Sequence, residues 1–292
     1  MSEPRRHKYL RPEDIRRLAS YEFAPRALAE GYLSGRHMSR QRGASVEFHD
    51  FRAYSPGDDP ALIDWRVYAR TDRHYLKTFE QETNLECHIF LDSSGSMSFG
   101  EKIDKLSYAS FFCAALCYLV IKNTDRISLT LFDDRIRQYF PPGSTSRHMH
   151  KLMNALERNK PGNETGLGEA LRRSLHLLKR RGTLLIISDF LDDAVSIFEA
   201  LNPFLHKGFK VHLVQILDPE ELKLQRQGLF RFVDLETGKH VQANINTIRK
   251  AYQHIMADHI AALRAMAIRR SVHYALASTD MDYFTLFDAL SR

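Results

Sequence analysis

The stretch ECHIFLDSSGSMSFG, Glu86 to Gly100, ends an apolar run in one carboxylate and follows it with a dense set of small hydroxyl residues. Asp92, Ser94 and Ser96 stand at alternate positions, spaced by Ser93 and Gly95. Such a run can bind a hard cation, hold a nucleophile, or simply make a tight turn. Mg²⁺ prefers oxygen ligands, keeps several waters, and takes only one or two carboxylates from a protein. Thr165, in NETGLGEAL, and Asp189, at the end of LLIISD, can add another hydroxyl and a second carboxylate, the latter directly or through a water. A site of this kind is short of charge and of ligands. An ion held there stays electrophilic and can accept a carboxylate from another protein.

Enzyme chemistry fits the same residues less well. An aspartyl-phosphate phosphatase wants a second Asp two positions after the first, where this chain has Ser94. Neither Ser94 nor Ser96 is framed as G-x-S-x-G. There is no G-x-x-x-x-G-K-[ST] loop to cradle phosphates, and the 14 histidines are scattered without an H-E-x-x-H. The alternative left open is a metal-dependent hydrolase acting on phosphoesters, with Asp189, Glu164 or Asp218 as its base. Asp218, ending VHLVQILD, also has a plainer use as a helix cap.

The elements that must position these residues alternate between strand and helix from Glu86 onward. CHIFLD, RISLTLF, TLLIISD, KVHLVQILD and SVHYALA are apolar runs of strand length, as expected for strands covered on both faces. Helices are predicted at about 102–122, 147–158 and 243–268, in DDAVSIFEALNPFLHKG, and in the final DYFTLFDAL. ETGLGEALRRSLHLLKRRG predicts one amphipathic helix closed by Lys179, Arg180, Arg181 and Gly182. RIRQYF makes a hairpin with the strand before it around Asp133 and Asp134, and QGLFRFVDLETGKHVQ predicts a second. The pattern is α/β: a doubly wound, mostly parallel sheet with helices on both faces. Ligands of such sheets bind outside the carboxyl ends of the strands. Asp92 and Asp189 both end core strands and fall on that side.

The first 83 residues differ in texture. RPEDIRRLASYEFAPRALAEGYLSG predicts one or two short helices with Pro12 in a first turn. VEFHDFRAY and HYLKTFEQE predict strands, and DDPALIDW a helical turn capped by Asp58 or Asp59. Phe51, Tyr54, Trp65 and Tyr68 are expected to bury against the core, the competing reading being a protein-contact surface. The organisation is therefore an N-terminal α+β extension, 1–83, and a domain at 84–292 carrying a hairpin insertion at about 220–242.

At 292 residues, 43% hydrophobic and 27% charged, the composition is that of a globular protein. The net charge of +6 is diffuse and comes without a stacking aromatic array, which argues against nucleic acid as a partner. The three cysteines lie within or beside apolar runs and read as buried hydrophobes in a reducing compartment. The first residues are charged, with no apolar core of a secretory signal. The longest apolar run, FFCAALCYLVI, is too short to span a bilayer and predicts a buried helix. A cytoplasmic protein without membrane insertion is expected.

LDSSGSMS, ETGLGEAL and LLIISDF resemble the three parts of the metal-ion-dependent adhesion site (MIDAS) of von Willebrand factor type A domains. The resemblance implies that Asp92, Ser94, Ser96, Thr165 and Asp189 are metal ligands for Mg²⁺ (or Mn²⁺ or Ca²⁺), none of the five being substituted. It also implies that an acidic side chain of a bound protein completes the ion. The segment SVEFHDFRAYSPGDDPALIDWRVYARTDRHYLKTFEQET is similar to the signature of the bacterial family called domain of unknown function 58, where it precedes a von Willebrand type A core. That resemblance runs from about Arg36 to the C-terminus. Members are typically encoded beside MoxR-type AAA+ ATPases. What this implies is a non-enzymatic adaptor or co-chaperone, a Mg²⁺-dependent protein–protein interaction module whose partner is such an ATPase or an acidic client protein.

Overall fold

The computed structural model describes residues 7–19, 47–54, 63–80, 86–162 and 164–290. The chain falls into two compact units, one of residues 35–84 and one of residues 1–34 with 85–292. The first helix, α1 (Pro12–Ala19), belongs to the larger unit: Leu18 is fully buried, and Tyr9 and Leu10 join it in the same core. Sequence texture had grouped these residues with the extension. The reassignment follows from three apolar side chains that only a neighbouring core can cover.

In the smaller unit β1 (Glu47–Ala53) pairs antiparallel with β2 (Tyr75–Glu80), with α2 (Trp65–Thr71) between them in sequence. The register runs from Glu47 opposite Glu80 to Ala53 opposite Tyr75 and slips once, between Phe48 and Asp50. Asp64 starts α2 by accepting the backbone N–H groups of Arg66 and Val67, and Asp72 closes it in a left-handed conformation, φ 54°. The cap expected at Asp58 or Asp59 lies outside the described residues, as does the side chain of Phe51. Trp65 corrects an expectation: it is 59% exposed. It opens α2 and meets Tyr68 only edge-on, with ring centroids 6.0 Å apart. Tyr54 and Tyr68 are half-buried.

The larger unit is built on β3 (Glu86–Asp92), α3 (Lys105–Lys122), β4 (Arg126–Phe132), β5 (Ile136–Gly143), α4 (Ser146–Arg158), α5 (Leu167–Ser174) and β6 (Thr183–Ser188). It continues through α6 (Ala194–His206), β7 (Lys210–Leu217), α7 (Pro219–Lys223), β8 (Leu229–Val233), β9 (His240–Asn244), α8 (Ile245–Arg269), β10 (His273–Ser278) and α9 (Thr285–Leu290). Six strands form one sheet in the order β10-β7-β6-β3-β4-β5, parallel except for β5, which returns antiparallel to β4. The α/β class, the mostly parallel sheet and its helices are as the sequence predicts. The hairpin β8–β9 is a separate two-stranded sheet.

Successive strand residues point to opposite faces, and both faces are covered. Ile89 and Leu91 of β3 join one core with Phe112 of α3, Leu152 of α4 and Phe287 of α9. Phe90, between them, joins the other with Leu171 of α5, Phe198 of α6 and Leu263 of α8. Burying one such Leu or Phe completely contributes about 1.5–3 kcal/mol. Among the described residues, α3 alone is long and apolar enough to cross a membrane, and 78% of it is buried inside the unit. It is capped by Asp104, whose carboxylate accepts the Ser107 N–H at 2.6 Å, so it starts later than periodicity suggested.

One helix ends much earlier than predicted. α5 stops at Ser174, whose buried hydroxyl donates to the Leu171 carbonyl, and a turn follows that buries Leu178. Gly182 is therefore not a helix cap. It passes so close to the Glu86 carbonyl that a side chain would collide with it. The basic residues near the helix end are Arg172 and Arg173, both ion-paired with Glu169, rather than Lys179 to Arg181.

Candidate metal centre

The sheet order places β3 between β4 and β6, so the chain leaves β3 toward one side and returns on the other. Loops splay apart at such a switch point, above the carboxyl ends of the strands. Leu91 lies opposite Ile187, which brings the next residues, Asp92 and Ser188, side by side. The Ser188 hydroxyl donates to Asp92 Oδ2 at 2.6 Å, and Asp92 Oδ1 accepts the Ser94 N–H at 2.8 Å. After Ser94 the chain tightens into a 3₁₀ turn, Gly95–Ser98, leaving the Ser94 and Ser96 hydroxyls 3.1 Å apart. Ser93 anchors the loop: its N–H donates to the Phe132 carbonyl, its carbonyl accepts from Gly162, and its hydroxyl accepts from Asn159.

Asp92 is fully buried. Burial, reinforced by the nearby Asp189, pushes its carboxyl up to about 7, against the hydrogen bonds from Ser188 and Ser94. Asp189 follows β6 directly and is 2% exposed. Its Oδ2 receives the Lys105 ammonium at 2.7 Å, and Lys105 reaches Glu221 Oε1 at 2.6 Å. Burial alone would lower Lys105, but the two carboxylates hold its ammonium above the usual range. Phe190, the next residue, is buried in a left-handed conformation, φ 48°, with its carbonyl hydrogen-bonded to His259. Such a backbone persists only where its surroundings hold it.

Thr165 lies in the loop before α5, and that loop is seated by the Gly166 N–H on the Asp133 carbonyl at 2.9 Å. The Thr165 hydroxyl donates to Glu236 Oε1 at 2.8 Å and its N–H to Oε2 at 3.2 Å. Glu236 belongs to the β8–β9 turn. Its Cγ would stand 3.3 Å from a Cβ on Gly95, so Thr165 and the Asp92 loop share it as a neighbour.

The structure thus joins Asp92, Ser94 and Ser96 through one turn, brings Asp189 beside Asp92, and places Thr165 next to that turn through Glu236. Among the described residues no three Asp, Glu, His or Cys side chains cluster as ligands; the donor set is hydroxyls around two aspartates. That set fits a hard, oxygen-seeking divalent ion. Charge fits too, since Asp92 is buried beside Asp189, and the buried Lys105 ammonium is shared between Asp189 and Glu221. Asp218 is occupied elsewhere: it caps α7, its N–H bonding Glu221, and accepts from Thr279.

Sequence reasoning missed Lys105, Ser188, Glu221 and Glu236. Ser188 was detectable as the residue that parallel pairing sets beside Asp92. Glu221 carries a local mark only as the third residue of a capping box with Asp218. Nothing local marks its pairing with Lys105, 116 residues away, nor those of Lys105 with Asp189 and Glu236 with Thr165, 84 and 71 residues apart.

The chain is similar to known proteins and to solved structures. Solved structures with similar folds include the conserved hypothetical protein BatB of Bacteroides thetaiotaomicron, at TM-score 0.48 and 17% identity, covering 71% of this chain and 95% of that one. An aerotolerance-related membrane protein of Bacteroides fragilis matches at 0.47 and 18%, covering 70% and 96%. A von Willebrand factor type A protein of Catenulispora acidiphila matches at 0.39 and 13%, covering 74% and 42%. An uncharacterized protein of Mycobacterium tuberculosis is 26% identical over 226 residues, 76% of this chain and 70% of its own length. The family described as protein of unknown function DUF58 matches residues 50–262, which take in both the segment around Trp65 and the strand ends that carry Asp92 and Asp189, and the chain is a member of that family.

Proposed function

We propose that this chain is a non-enzymatic protein-interaction module whose contact is made through a divalent ion, Mg²⁺ in the first instance, held at the ends of β3 and β6. The observation that carries this reading is the donor set: two buried aspartates, only one of them free of an ion pair with lysine, with the Ser94 and Ser96 hydroxyls on the turn after Asp92 and Thr165 linked to that turn through Glu236. Asp92 is aligned by Ser188 and the Ser94 N–H, Ser94 and Ser96 present hydroxyls from the 3₁₀ turn, and Thr165 would add a hydroxyl from the loop before α5. The bound ion would supply an electrophilic centre open to a carboxylate of a partner protein. A MoxR-type AAA+ ATPase, or an acidic client protein, is the partner class proposed.

A hydrolase would want an unengaged base beside the ion. Asp189 is paired with Lys105, Asp218 is committed to α7 and Thr279, and Glu164 is exposed. These engagements favour binding over turnover.

The test is calorimetric titration of Mg²⁺ into the wild type and Asp92→Ala, followed by co-purification with the cognate MoxR-type ATPase in Mg²⁺ or EDTA. Binding of both ion and ATPase by the wild type alone is expected. Uptake of Mg²⁺ that is indifferent to Asp92→Ala would end this reading.

A further inference from the structure

We propose that Glu236, at the tip of the β8–β9 hairpin, is the site's own acidic occupant: it holds from within the position a partner's carboxylate would take, and the hairpin is a latch that a partner must displace. This rests on the metal-centre reading above and adds to it a ligand from the chain itself.

Three observations converge on the hairpin tip. Glu236 bonds Thr165 with both carboxylate oxygens, at 2.8 and 3.2 Å, so it is aimed at a residue of the site and not at solvent. The tip is seated in the notch between Ser94 and Ser96. A Cβ on Gly95 would come within 2.7 Å of the Leu235 carbonyl, so this approach needs glycine there. The tip is also preorganised. The Asp234 carboxylate accepts the N–H groups of Glu236 and Thr237 and the Thr237 hydroxyl, its N–H reaches the Lys239 carbonyl, and Gly238 takes φ 70°. In the run from Val233 to Lys239, Glu236 is the one residue that is not exposed.

The hairpin is built to move. Among the described residues its strands pair only with each other, and a two-stranded hairpin is marginally stable by itself. Its flanks carry Leu229, Val233 and Val241 at 70%, 51% and 61% exposure, apolar surface that a displacing protein can cover. A divalent ion strengthens closure, because Glu236 otherwise adds negative charge near Asp192, which also feels Asp189. A partner then competes with Glu236 for one coordination position.

The experiment uses Mn²⁺ as probe and reads water-proton relaxation of the bound ion, with wild type, Glu236→Ala and Asp92→Ala. Amide exchange of residues 234–239 is followed with and without Mg²⁺. Expected are Mn²⁺ binding lost in Asp92→Ala, relaxation enhancement raised in Glu236→Ala by about one inner-sphere water, and tip protection that Mg²⁺ increases only in wild type. Bound Mn²⁺ with equal relaxation in wild type and Glu236→Ala overturns the latch and leaves the metal centre standing. Failure of wild type and Glu236→Ala alike to bind Mn²⁺ at Asp92 overturns both.

Discussion

The ends of β3 and β6 and the tip of the β8–β9 hairpin both present carboxylates, yet they are held in opposite ways. Asp92 ends one central strand and Asp189 directly follows another, 0% and 2% exposed, where two cores flank the sheet. Glu236 sits on a hairpin whose strands, among the described residues, join no other strand. One half of the site is fixed by the fold and the other half by a local turn. The contrast divides the proposed properties between the two: ligand geometry to the sheet, access to the hairpin.

The hardest test of the fixed half is Lys105→Ala. It leaves the buried Asp189 and the half-buried Glu221 without their cation, and is expected to cost about 3–5 kcal/mol in denaturant unfolding. A loss below about 1 kcal/mol would show that the strand ends are not rigidly held by this pair.

His88, in the middle of β3, tests the same half by pH. Burial lowers its pKa from 6.5 to about 4, while its Nδ1 shares a 2.8 Å hydrogen bond with Ser128. Between these values the unfolded chain binds the extra proton. The stability is thus complete above pH 6.5 and falls by up to about 3 kcal/mol as pH drops to 4. His88→Asn should flatten that part of the stability curve; an unchanged slope would assign the acid sensitivity to other groups.

Ser188→Ala removes the donor to Asp92 Oδ2 and the acceptor for the Phe190 N–H, at 2.6 and 3.1 Å. A loss of about 1–3 kcal/mol is expected, measured by thermal unfolding. Gly95→Ala, directed at the movable half, adds a Cβ in a buried notch, within 2.7 Å of the Leu235 carbonyl, and is expected to cost about 1 kcal/mol of global stability as the tip is forced away. It should still strip exchange protection from the tip. A large stability loss without a change at the tip would erase the distinction between the halves.

Legibility in the sequence divides along a similar line. β3, β6 and β7 could be read because strands buried on both faces leave continuous apolar runs, and the five candidate ligands could be read because they close those runs or open a helix. The hairpin was readable, its target was not: Thr165 and Glu236 meet through the fold, with no local pattern to announce it. Lys105 opens an apolar helix, where a lysine reads as solvated, and only the convergence of β6 and α7 reveals it as buried. α5 was overextended because its amphipathic period continues past Ser174 while the chain must turn to reach β6. Trp65 was misjudged because aromatic character predicts burial only where some surface is available to provide it.

The β8–β9 ladder has five paired positions, from Leu229 opposite Asn244 to Val233 opposite His240. Each strand residue advances the chain by about 3.4 Å. The hairpin therefore works as a gauge, its length setting how far Glu236 projects. Removing one pair from each strand would shorten the reach by about 3.4 Å and turn every side chain of the tip to the other face. Removing two would restore the facing but leave the carboxylate about 7 Å short. For a latch of this construction, the number of residues between β7 and α8 is as much a part of the site as the identity of its ligands.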